Sequence, residues 1–316
     1  MKLVIIESLG ISEAQAEELR RKYLPADLEM VYYNTAAADE QEKEHRLRGA
    51  DYVMLANSPL SSAVMAENPT LRFLSVAFTG VDHVDMDYCQ QKGIVVSNCA
   101  GYANEAVSEL VIGLALALYR KLAACDTAVR NGGTRQGLIG QELSGKKFGI
   151  IGAGAIGMAT AKLARAFGCE VYAYSRTPKE QPGIKFLGLE ELLSVADIVS
   201  LHVPLTISTR GMLGEAELKL MKKTAILINT ARGPVVDEEA LADALEHGVI
   251  AGAAVDVFAM EPPLPQDMPL RKAPHTILAP HIGFATQEAM LKRAEIAFAN
   301  VAAYLSGKPQ NVMGEV

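Results

Sequence analysis

The sequence predicts an α/β fold made of two doubly wound parallel-sheet domains. Short apolar runs of strand length alternate with amphipathic stretches of helix length along most of the chain. The alternation stops near residue 97 and restarts at Lys146, which favours two sheets over one. The 316 residues are 50% hydrophobic and 21% charged, a composition that can fill two ordinary cores.

The first domain is predicted from alternating strand and helix candidates with short connections, the pattern of a parallel sheet covered by helices. Ser12 is a favourable N-cap for the first helix, and the acidic Glu13 follows it. The strand candidates are Lys2–Ile6, Leu28–Tyr32, Tyr52–Leu55, Phe73–Val76 and Ile94–Val96, and the helix candidates are Ser12–Lys22, Asp39–Leu47 and Ser62–Glu67.

A long helix is predicted over Asn104–Lys121, and it is apolar almost all round. A helix with so little polar surface must be buried on several sides, as at a domain junction or a subunit interface. The sequence Asn131-Gly132-Gly133 predicts a loop after this region.

The second domain is predicted from six strands with helical crossovers, as a doubly wound nucleotide-binding fold requires. Asp237 is the expected N-cap of a helix over Glu238–Glu246, and the last helix, Thr286–Ser306, is long enough to pack back on the first half. The strand candidates are Phe148–Ile151, Glu170–Tyr174, Ile198–Leu201, Ala225–Asn229, Ala253–Val257 and Thr276–Ala279.

Composition excludes several classes of function. The net charge of −7 argues against a nucleic-acid partner, and the longest apolar stretch, Leu110–Tyr119, is too short to span a membrane. The four cysteines have no metal-ligand spacing, and no His/Asp/Glu cluster predicts a metal. Scattered thiols of this kind are typical of a reducing cytoplasm, where we expect the protein.

A glycine-rich turn predicts dinucleotide binding. Gly152, Gly154 and Gly157 form a GxGxxG motif between the predicted strand and the helix over Ile156–Phe167. The first glycine permits the tight turn, the second lets the backbone approach a pyrophosphate, and the third packs the helix on the strand. The helix N-terminus then favours the phosphates, so Gly152, Gly154, Ala155 and Ile156 are predicted cofactor contacts.

The end of the next strand bears on which nicotinamide cofactor is bound. An NAD site usually has an acidic residue there for the ribose hydroxyls, but this chain has Ser175-Arg176-Thr177. The missing carboxylate and the Arg176 guanidinium favour the 2′-phosphate of NADP(H). NAD(H) stays open, because Arg176 could equally be a solvated residue or stack on adenine.

Three chemically distinctive residues follow three consecutive predicted strands. They are Arg232, Glu261 and His281. Ligands bind at the carboxyl ends of strands in an open α/β sheet. Each residue alone could be structural, but their joint placement predicts a catalytic site.

With these residues in place, the chain resembles the D-isomer-specific 2-hydroxyacid dehydrogenase family, in particular its glyoxylate/hydroxypyruvate reductase-like branch. The resemblance covers nearly the whole length. It rests on the glycine turn and on Phe78–Asp82, His202–Thr206, Asn229–Gly233, Asp256–Pro263 and Pro280–Gly283.

The resemblance implies an NAD(P)-dependent enzyme, usually a homodimer, that transfers a hydride between its cofactor and a small 2-keto or 2-hydroxy acid. It implies a Rossmann dinucleotide-binding domain (99–287) inserted into a flavodoxin-like substrate-binding domain (1–98 and 288–316).

The resemblance also implies roles for individual residues. His281 would be the acid/base, Glu261 would orient its imidazole, and Arg232 would grip the substrate carboxylate, with help from the backbone N–H groups of Thr79 and Gly80. Imidazole suits this work because it gives and accepts protons near neutral pH. The remaining cofactor contacts would be Ser175, Arg176, Thr177, His202, Val203, Pro204, Thr230, Ala231, Asp256 and Gly283.

Hydroxypyruvate and glyoxylate are the expected substrates. A phosphoglycerate dehydrogenase is less favoured, because the stretch Ala56–Leu60 has no basic residue for a phosphate. Glu261 argues against a formate dehydrogenase, whose relatives have glutamine there. A larger keto acid stays open, as does a nucleotide-sensing binding protein like the family's transcriptional corepressors.

Overall fold

The chain divides into two compact units, each with its own sheet. They comprise Met1–Ala103 with Thr286–Val316, and Asn104–Ala285. The structure is a computed structural model, and it describes residues 1–178, 181–260 and 263–314.

Unit 1 contains a five-stranded sheet in which all strands are parallel, in the order β2-β1-β3-β4-β5. This is the flavodoxin-like order. The strands are β1 (Lys2–Ile5), β2 (Glu29–Tyr32), β3 (Tyr52–Leu55), β4 (Phe73–Val76) and β5 (Val95–Ser97), and the helices between them are α1 (Glu13–Tyr23), α2 (Glu40–Leu47), α3 (Ser62–Ala66) and α4 (Met86–Lys92).

The predicted N-cap of the first helix, Ser12, is confirmed. The Ser12 hydroxyl accepts a hydrogen bond from the Gln15 N–H, and Oε1 of Gln15 accepts one from the Ser12 N–H, which completes a capping box. The last helix of the chain, α11 (Gln287–Leu305), packs on α1 and β4. Ser75 of β4 donates to the Ala297 carbonyl of α11 at 3.0 Å, so the last helix does return to the first half of the chain.

Unit 2 contains seven parallel strands in the order β8-β7-β6-β9-β10-β11-β12. This is the Rossmann order extended by one strand, and the strand order reverses between β6 and β9. The strands are β6 (Lys147–Ile151), β7 (Glu170–Tyr174), β8 (Ile184–Phe186), β9 (Ile198–Leu201), β10 (Ile226–Asn229), β11 (Gly252–Val255) and β12 (Thr276–Leu278). The predicted fold class, two doubly wound parallel sheets, is confirmed.

Helices cover both faces of this second sheet. On one face, α5 (Asn104–Tyr119) packs against α7 (Ala155–Ala166), and both cover Phe148 and Ile150 of β6. The opposite face is covered by α8 (Leu189–Val195), α9 (Glu215–Leu220) and α10 (Glu238–Glu246). The buried, apolar character predicted for α5 is therefore explained within unit 2.

The predicted helix Asn104–Lys121 is two residues too long. Lys121 has a left-handed backbone (φ 53°), which ends α5 and starts a further helix, α6 (Leu122–Arg130), that the sequence analysis did not predict. The edge strand β8 was also not predicted, because its three residues give too short a pattern. Among the described residues, no helix is long and apolar enough to cross a membrane.

Candidate active site

One edge of the unit 2 sheet carries every predicted cofactor and catalytic residue of that unit that the structure describes. Each follows a strand at its carboxyl end. They are Gly152–Ile156 after β6, Ser175–Thr177 after β7, His202–Pro204 after β9, Thr230–Arg232 after β10, Asp256 after β11, and His281 and Gly283 after β12.

The turn after β6 fits a dinucleotide pyrophosphate. Gly152 has φ +106°, and a Cβ there would lie 2.6 Å from the His202 carbonyl carbon, so only glycine fits. A Cβ on Gly157 would lie 2.1 Å from the Gly152 oxygen, whereas Gly154 faces open space. Helix α7 begins at this turn without any side-chain cap, which leaves its first N–H groups available to an anion.

The loop after β9 faces the same turn and carries a neutral histidine. Nε2 of His202 lies 2.9 Å from the Ser200 hydroxyl. Burial lowers the pKa of His202 from 6.5 to about 3, although part of the residue surface stays accessible, so the imidazole is uncharged at neutral pH. A neutral ring beside the glycine turn forms a wall and is not an anion-binding group.

The segment after β7 has the composition expected to discriminate between cofactors. Ser175 is half-buried and Arg176 is exposed. The Ser175 hydroxyl lies 3.5 Å from the Thr177 carbonyl, at the limit of a hydrogen bond. Within the described part of the chain, no hydrogen bond or ion pair engages the Arg176 guanidinium, which can therefore bind a phosphate without breaking an existing contact.

Arg232 lies on a loop that the Asn229 side chain shapes. The buried Asn229 amide accepts from the Ala231 N–H at 3.1 Å and donates to the Arg232 carbonyl at 3.0 Å. The Arg232 guanidinium donates to the Ala231 carbonyl at 2.8 Å. Thr230 has a buried hydroxyl without a hydrogen-bond partner in the described residues, a polar atom that a bound ligand could satisfy.

The loops after β10 and β11 touch through their backbones. A Cβ on Gly233 would lie 1.9 Å from the Phe258 carbonyl carbon, so a larger residue there would separate the two loops. Glu238 of α10 accepts a hydrogen bond from the Ala259 N–H at 2.6 Å, and burial raises the pKa of this carboxyl. Both contacts fix the loop two or three residues before Glu261. Glu261 itself lies outside the described residues.

Asp256 holds the loop that carries His281. Three successive N–H groups converge on it: His281 N–H on its carbonyl, and Ile282 and Gly283 N–H on its two carboxylate oxygens, each at 2.8 Å. Such a run of amides around a left-handed residue binds anions well, and His281 has φ 56°. A buried carboxylate at Asp256 thus stabilises a backbone conformation that histidine rarely adopts.

The imidazole of His281 is partly exposed and lies edge-on against the Phe284 ring, with ring centroids 5.2 Å apart. This contact restricts how the ring can turn. The arrangement therefore presents the Arg232 guanidinium, from the loop after β10, and an oriented imidazole, from the loop after β12, at the same sheet edge.

In unit 1, Thr79 and Gly80 lie on the loop after β4, at the carboxyl edge of that sheet. Thr79 is exposed and Gly80 is partly exposed. The loop after β3 joins this one, because the Leu60 N–H donates to the His83 carbonyl at 2.8 Å. The Glu7 carboxylate accepts from the N–H groups of Ala56 and Ser58 at 2.7 and 3.0 Å.

Sequence reasoning missed the residues that hold these loops. From the sequence, Asn229 stands out only within the segment Asn229–Gly233, and Asp256 only as a cofactor contact. An asparagine at the end of a strand signals a side-chain-capped turn and could have been recognised. Glu238 had no such signal, because its partner Ala259 is 21 residues away.

The comparisons with known proteins match this architecture. The family model for the D-isomer specific 2-hydroxyacid dehydrogenase NAD binding domain matches residues 112–283. A glyoxylate reductase of Thermofilum pendens is 42% identical, covering 85% of this chain and 82% of the relative. A hydroxypyruvate reductase of Blautia hydrogenotrophica is 34% identical over the full length of both.

Solved structures agree. An acyclic imino acid reductase in complex with NADPH and D-Arg superposes with a TM-score of 0.89 at 29% identity, covering 99% of this chain and all of the other. The nucleotide-binding match and the glycine turn together fit a nicotinamide cofactor in unit 2. The chain therefore belongs to the D-isomer specific 2-hydroxyacid dehydrogenase family and is an oxidoreductase of that family.

Proposed function

We propose that the enzyme reduces a small 2-keto acid, hydroxypyruvate or glyoxylate, to the 2-hydroxy acid with NADPH, with D configuration where the product is chiral. The observation that carries the proposal is the placement of Arg232 after β10 and His281 after β12, at the sheet edge where the glycine turn also lies. The family and the relatives' names supply the substrate class.

The proposed mechanism assigns each side chain one task. Arg232 binds the substrate carboxylate and polarises the keto group through its several N–H donors. His281 donates a proton to the keto oxygen in reduction and takes it back in oxidation. The nicotinamide, when bound, supplies the hydride. Glu261 accepts a hydrogen bond from the imidazole and fixes its orientation, as the family resemblance implies.

Two further groups prepare the site. Asp256 keeps the His281 backbone in place through the three amides described above, besides its proposed contact with the cofactor. The N–H groups of Thr79 and Gly80, in the unit we propose to bind substrate, complete the carboxylate site. We divide the substrate-binding and dinucleotide-binding domains at 98/99 and 287/288, close to the limits of the two compact units.

NADP(H) is the proposed cofactor, and NAD(H) is the alternative. The remaining contacts would be those of the glycine turn and of His202, Val203, Pro204, Thr230, Ala231 and Gly283. Support for NADP(H) comes from Ser175, which replaces an acidic residue, and from the exposed Arg176 guanidinium beside it. The similar imino acid reductase was solved with NADPH.

A phosphorylated substrate is disfavoured at the loop after β3. The Glu7 carboxylate accepts from the N–H groups of Ala56 and Ser58, so these two donors are already engaged and are not open to a phosphate. A carboxylate at that position also repels a phosphate. This supports the smaller, unphosphorylated keto acids.

We also propose a cytoplasmic homodimer. No residue of α6 is buried, although Leu122 and Val129 are apolar. Ile139, 85% exposed, lies beside a groove of about 500 Å³ lined by Leu118, Ala124 and Leu138. A second copy would cover this apolar surface. The four cysteines are free, as in a reducing compartment.

The function is tested by a substrate panel. Purified enzyme is assayed with glyoxylate, hydroxypyruvate, pyruvate, 4-methyl-2-oxopentanoate and 3-phosphohydroxypyruvate, each with NADPH and with NADH. We expect the highest kcat/KM for hydroxypyruvate or glyoxylate with NADPH. Cofactor binding without any turnover would favour a nucleotide-sensing protein, and a preference for the phosphorylated acid would favour a phosphoglycerate dehydrogenase.

The role of His281 is tested by His281→Ala. Loss of the proton donor should lower kcat by about 10²–10⁴-fold and leave the Kd of NADPH within about threefold, measured by nucleotide fluorescence. His247→Ala is the control. His247 is an exposed histidine at the C-terminal end of α10, and its loss should leave both values unchanged. Near-normal kcat in His281→Ala would contradict the assignment.

The cofactor assignment is tested by Arg176→Ala. Loss of a charge-assisted contact to the 2′-phosphate should raise the KM of NADPH by about 10- to 100-fold without changing that of NADH. Arg72→Ala removes an exposed arginine just before β4 and should change neither constant. If the NADPH/NADH ratio of Arg176→Ala equals that of the wild type, the preference has another origin.

The homodimer is tested by Ile139→Glu. A buried carboxylate in a subunit interface is costly, so light scattering after gel filtration should change from twice the monomer mass to the monomer mass. Ile207→Glu is the matched control, because Ile207 is fully exposed on the loop after β9 and should keep the wild-type mass. A wild-type monomer, or a dimeric Ile139→Glu, would refute this interface.

A further inference from the structure

Unit 1 contains a buried polar chain that links the Thr79–Gly80 loop to the last helix. The Asn98 side chain donates to the Thr79 carbonyl at 2.7 Å. The Asn300 side chain, on α11, donates to the Asn98 carbonyl at 2.8 Å. Both asparagines are buried, so these hydrogen bonds are shielded from water.

The orientation of the Asn98 amide is defined by its two neighbours. Its Oδ1 accepts from the Ala100 N–H at 3.2 Å, and its Nδ2 donates to the Thr79 carbonyl. The flipped amide would place oxygen against oxygen and N–H against N–H, and both hydrogen bonds would be lost. Asn98 therefore acts specifically as a donor to the loop.

Holding the Thr79 carbonyl also directs an N–H group. In a planar trans peptide, the C=O and N–H of one unit point in opposite directions. The Gly80 N–H, which shares a peptide unit with the Thr79 carbonyl, is thus turned away from Asn98. The Cys99 N–H binds the Phe78 carbonyl at 2.9 Å, which turns the Thr79 N–H away from Cys99 in the same manner.

Both N–H groups are left available for a ligand. Across the described residues, the structure has no hydrogen bond from the N–H of Thr79 or Gly80. Two adjacent amides, each turned away from the Asn98–Cys99 segment, suit the two oxygens of a carboxylate. Asn98 and the Cys99 backbone hold this pair of amides in place.

Asn98 is itself held from two directions. Its N–H donates to the Asn311 carbonyl at 3.0 Å, and its carbonyl accepts from Asn300. Oδ1 of Asn300 accepts from the side chains of Gln310 and Asn311 at 3.2 and 2.9 Å. The segment after α11 thereby closes a network around Asn98.

We propose that Asn98 is a positioning residue for substrate binding: its side chain orients the Gly80 N–H toward the substrate carboxylate, beside the Thr79 N–H that the Cys99 backbone orients. The network with Asn300 and Asn311 fixes Asn98 in turn. The inference rests on the proposed function, because it assigns the carboxylate of the keto acid to this loop.

The test is Asn98→Asp, which keeps shape and the acceptor for the Ala100 N–H but replaces the donor to Thr79 by an oxygen. The KM of the keto acid should rise by about 10-fold or more, while kcat changes less than about threefold and the Kd of NADPH is unchanged. A loss of ground-state and transition-state binding alike gives this split.

Ser97→Ala is the matched control. Ser97 is the preceding residue and is buried, and it donates to the Gln310 carbonyl at 2.7 Å. Its loss therefore weakens the hold on the segment after α11 but removes no hydrogen bond to the Thr79–Gly80 loop. It should lower the melting temperature but leave KM within about twofold. An equal KM rise in Ser97→Ala and Asn98→Asp would mean a general structural effect and would overturn the proposal.

A second measurement separates this inference from the proposed function. Holoenzyme labelled with ¹⁵N is titrated with oxamate, a carboxylate probe, and the Gly80 amide resonance is followed. We expect it to shift in the wild type and to need about 10-fold more oxamate in Asn98→Asp. No shift, or equal titrations, would overturn the inference even if keto acids are reduced. A Gly80 shift in a protein that reduces no keto acid would overturn only the function.

If the aspartate variant does not fold, Asn98→Ala serves instead. It removes the donor without burying a charge, and the same KM increase and weaker oxamate binding are expected. An unchanged KM in a folded Asn98→Ala would contradict the role of Asn98.

Discussion

A parallel sheet requires every connection to cross back over its face, so all its strands end at the same edge. In unit 2 this constraint brings the glycine turn, the cofactor-discriminating segment and the loops of Arg232 and His281 to one side of seven strands. These residues are as much as 131 positions apart in sequence, from Gly152 to Gly283, and the parallel order of the strands is enough to bring them to one edge. The chemistry depends on this placement before any side chain contributes.

The strand order places each loop at the sheet edge but does not fix its conformation. In both units, hydrogen bonds from buried polar side chains fix it. The carboxylate of Asp256 accepts hydrogen bonds from the N–H groups of Ile282 and Gly283. The side-chain amide of Asn229 holds the turn before Arg232 through two hydrogen bonds. Buried polar groups are costly unless their hydrogen bonds are satisfied, so a satisfied one strongly favours a single conformation. The positive φ of His281 shows the result, because histidine is held in a conformation that it seldom adopts.

Unit 1 uses the same device with asparagine. Asn98 engages the Thr79 carbonyl, and the opposite side of that peptide is left for a ligand. In unit 2 a carboxylate organises N–H groups, whereas in unit 1 an amide organises a carbonyl and thereby frees N–H groups. In each case the side chain that holds the loop forms hydrogen bonds to the loop backbone, and other groups of that loop are proposed to contact the substrate.

The sequence by itself determined the element types, the fold class, the glycine turn and the family, because hydrophobic period and turn chemistry are encoded within a few residues. Only the tertiary structure decided where α5 breaks at Lys121, that β8 adds an edge strand, and which side chains hold the loops. The Asp256 and Gly283 partners are 27 positions apart, and Asn98 and Asn300 are 202 apart. A local pattern carries no information about a partner at such a distance, since only the folded chain brings the two groups within hydrogen-bonding range.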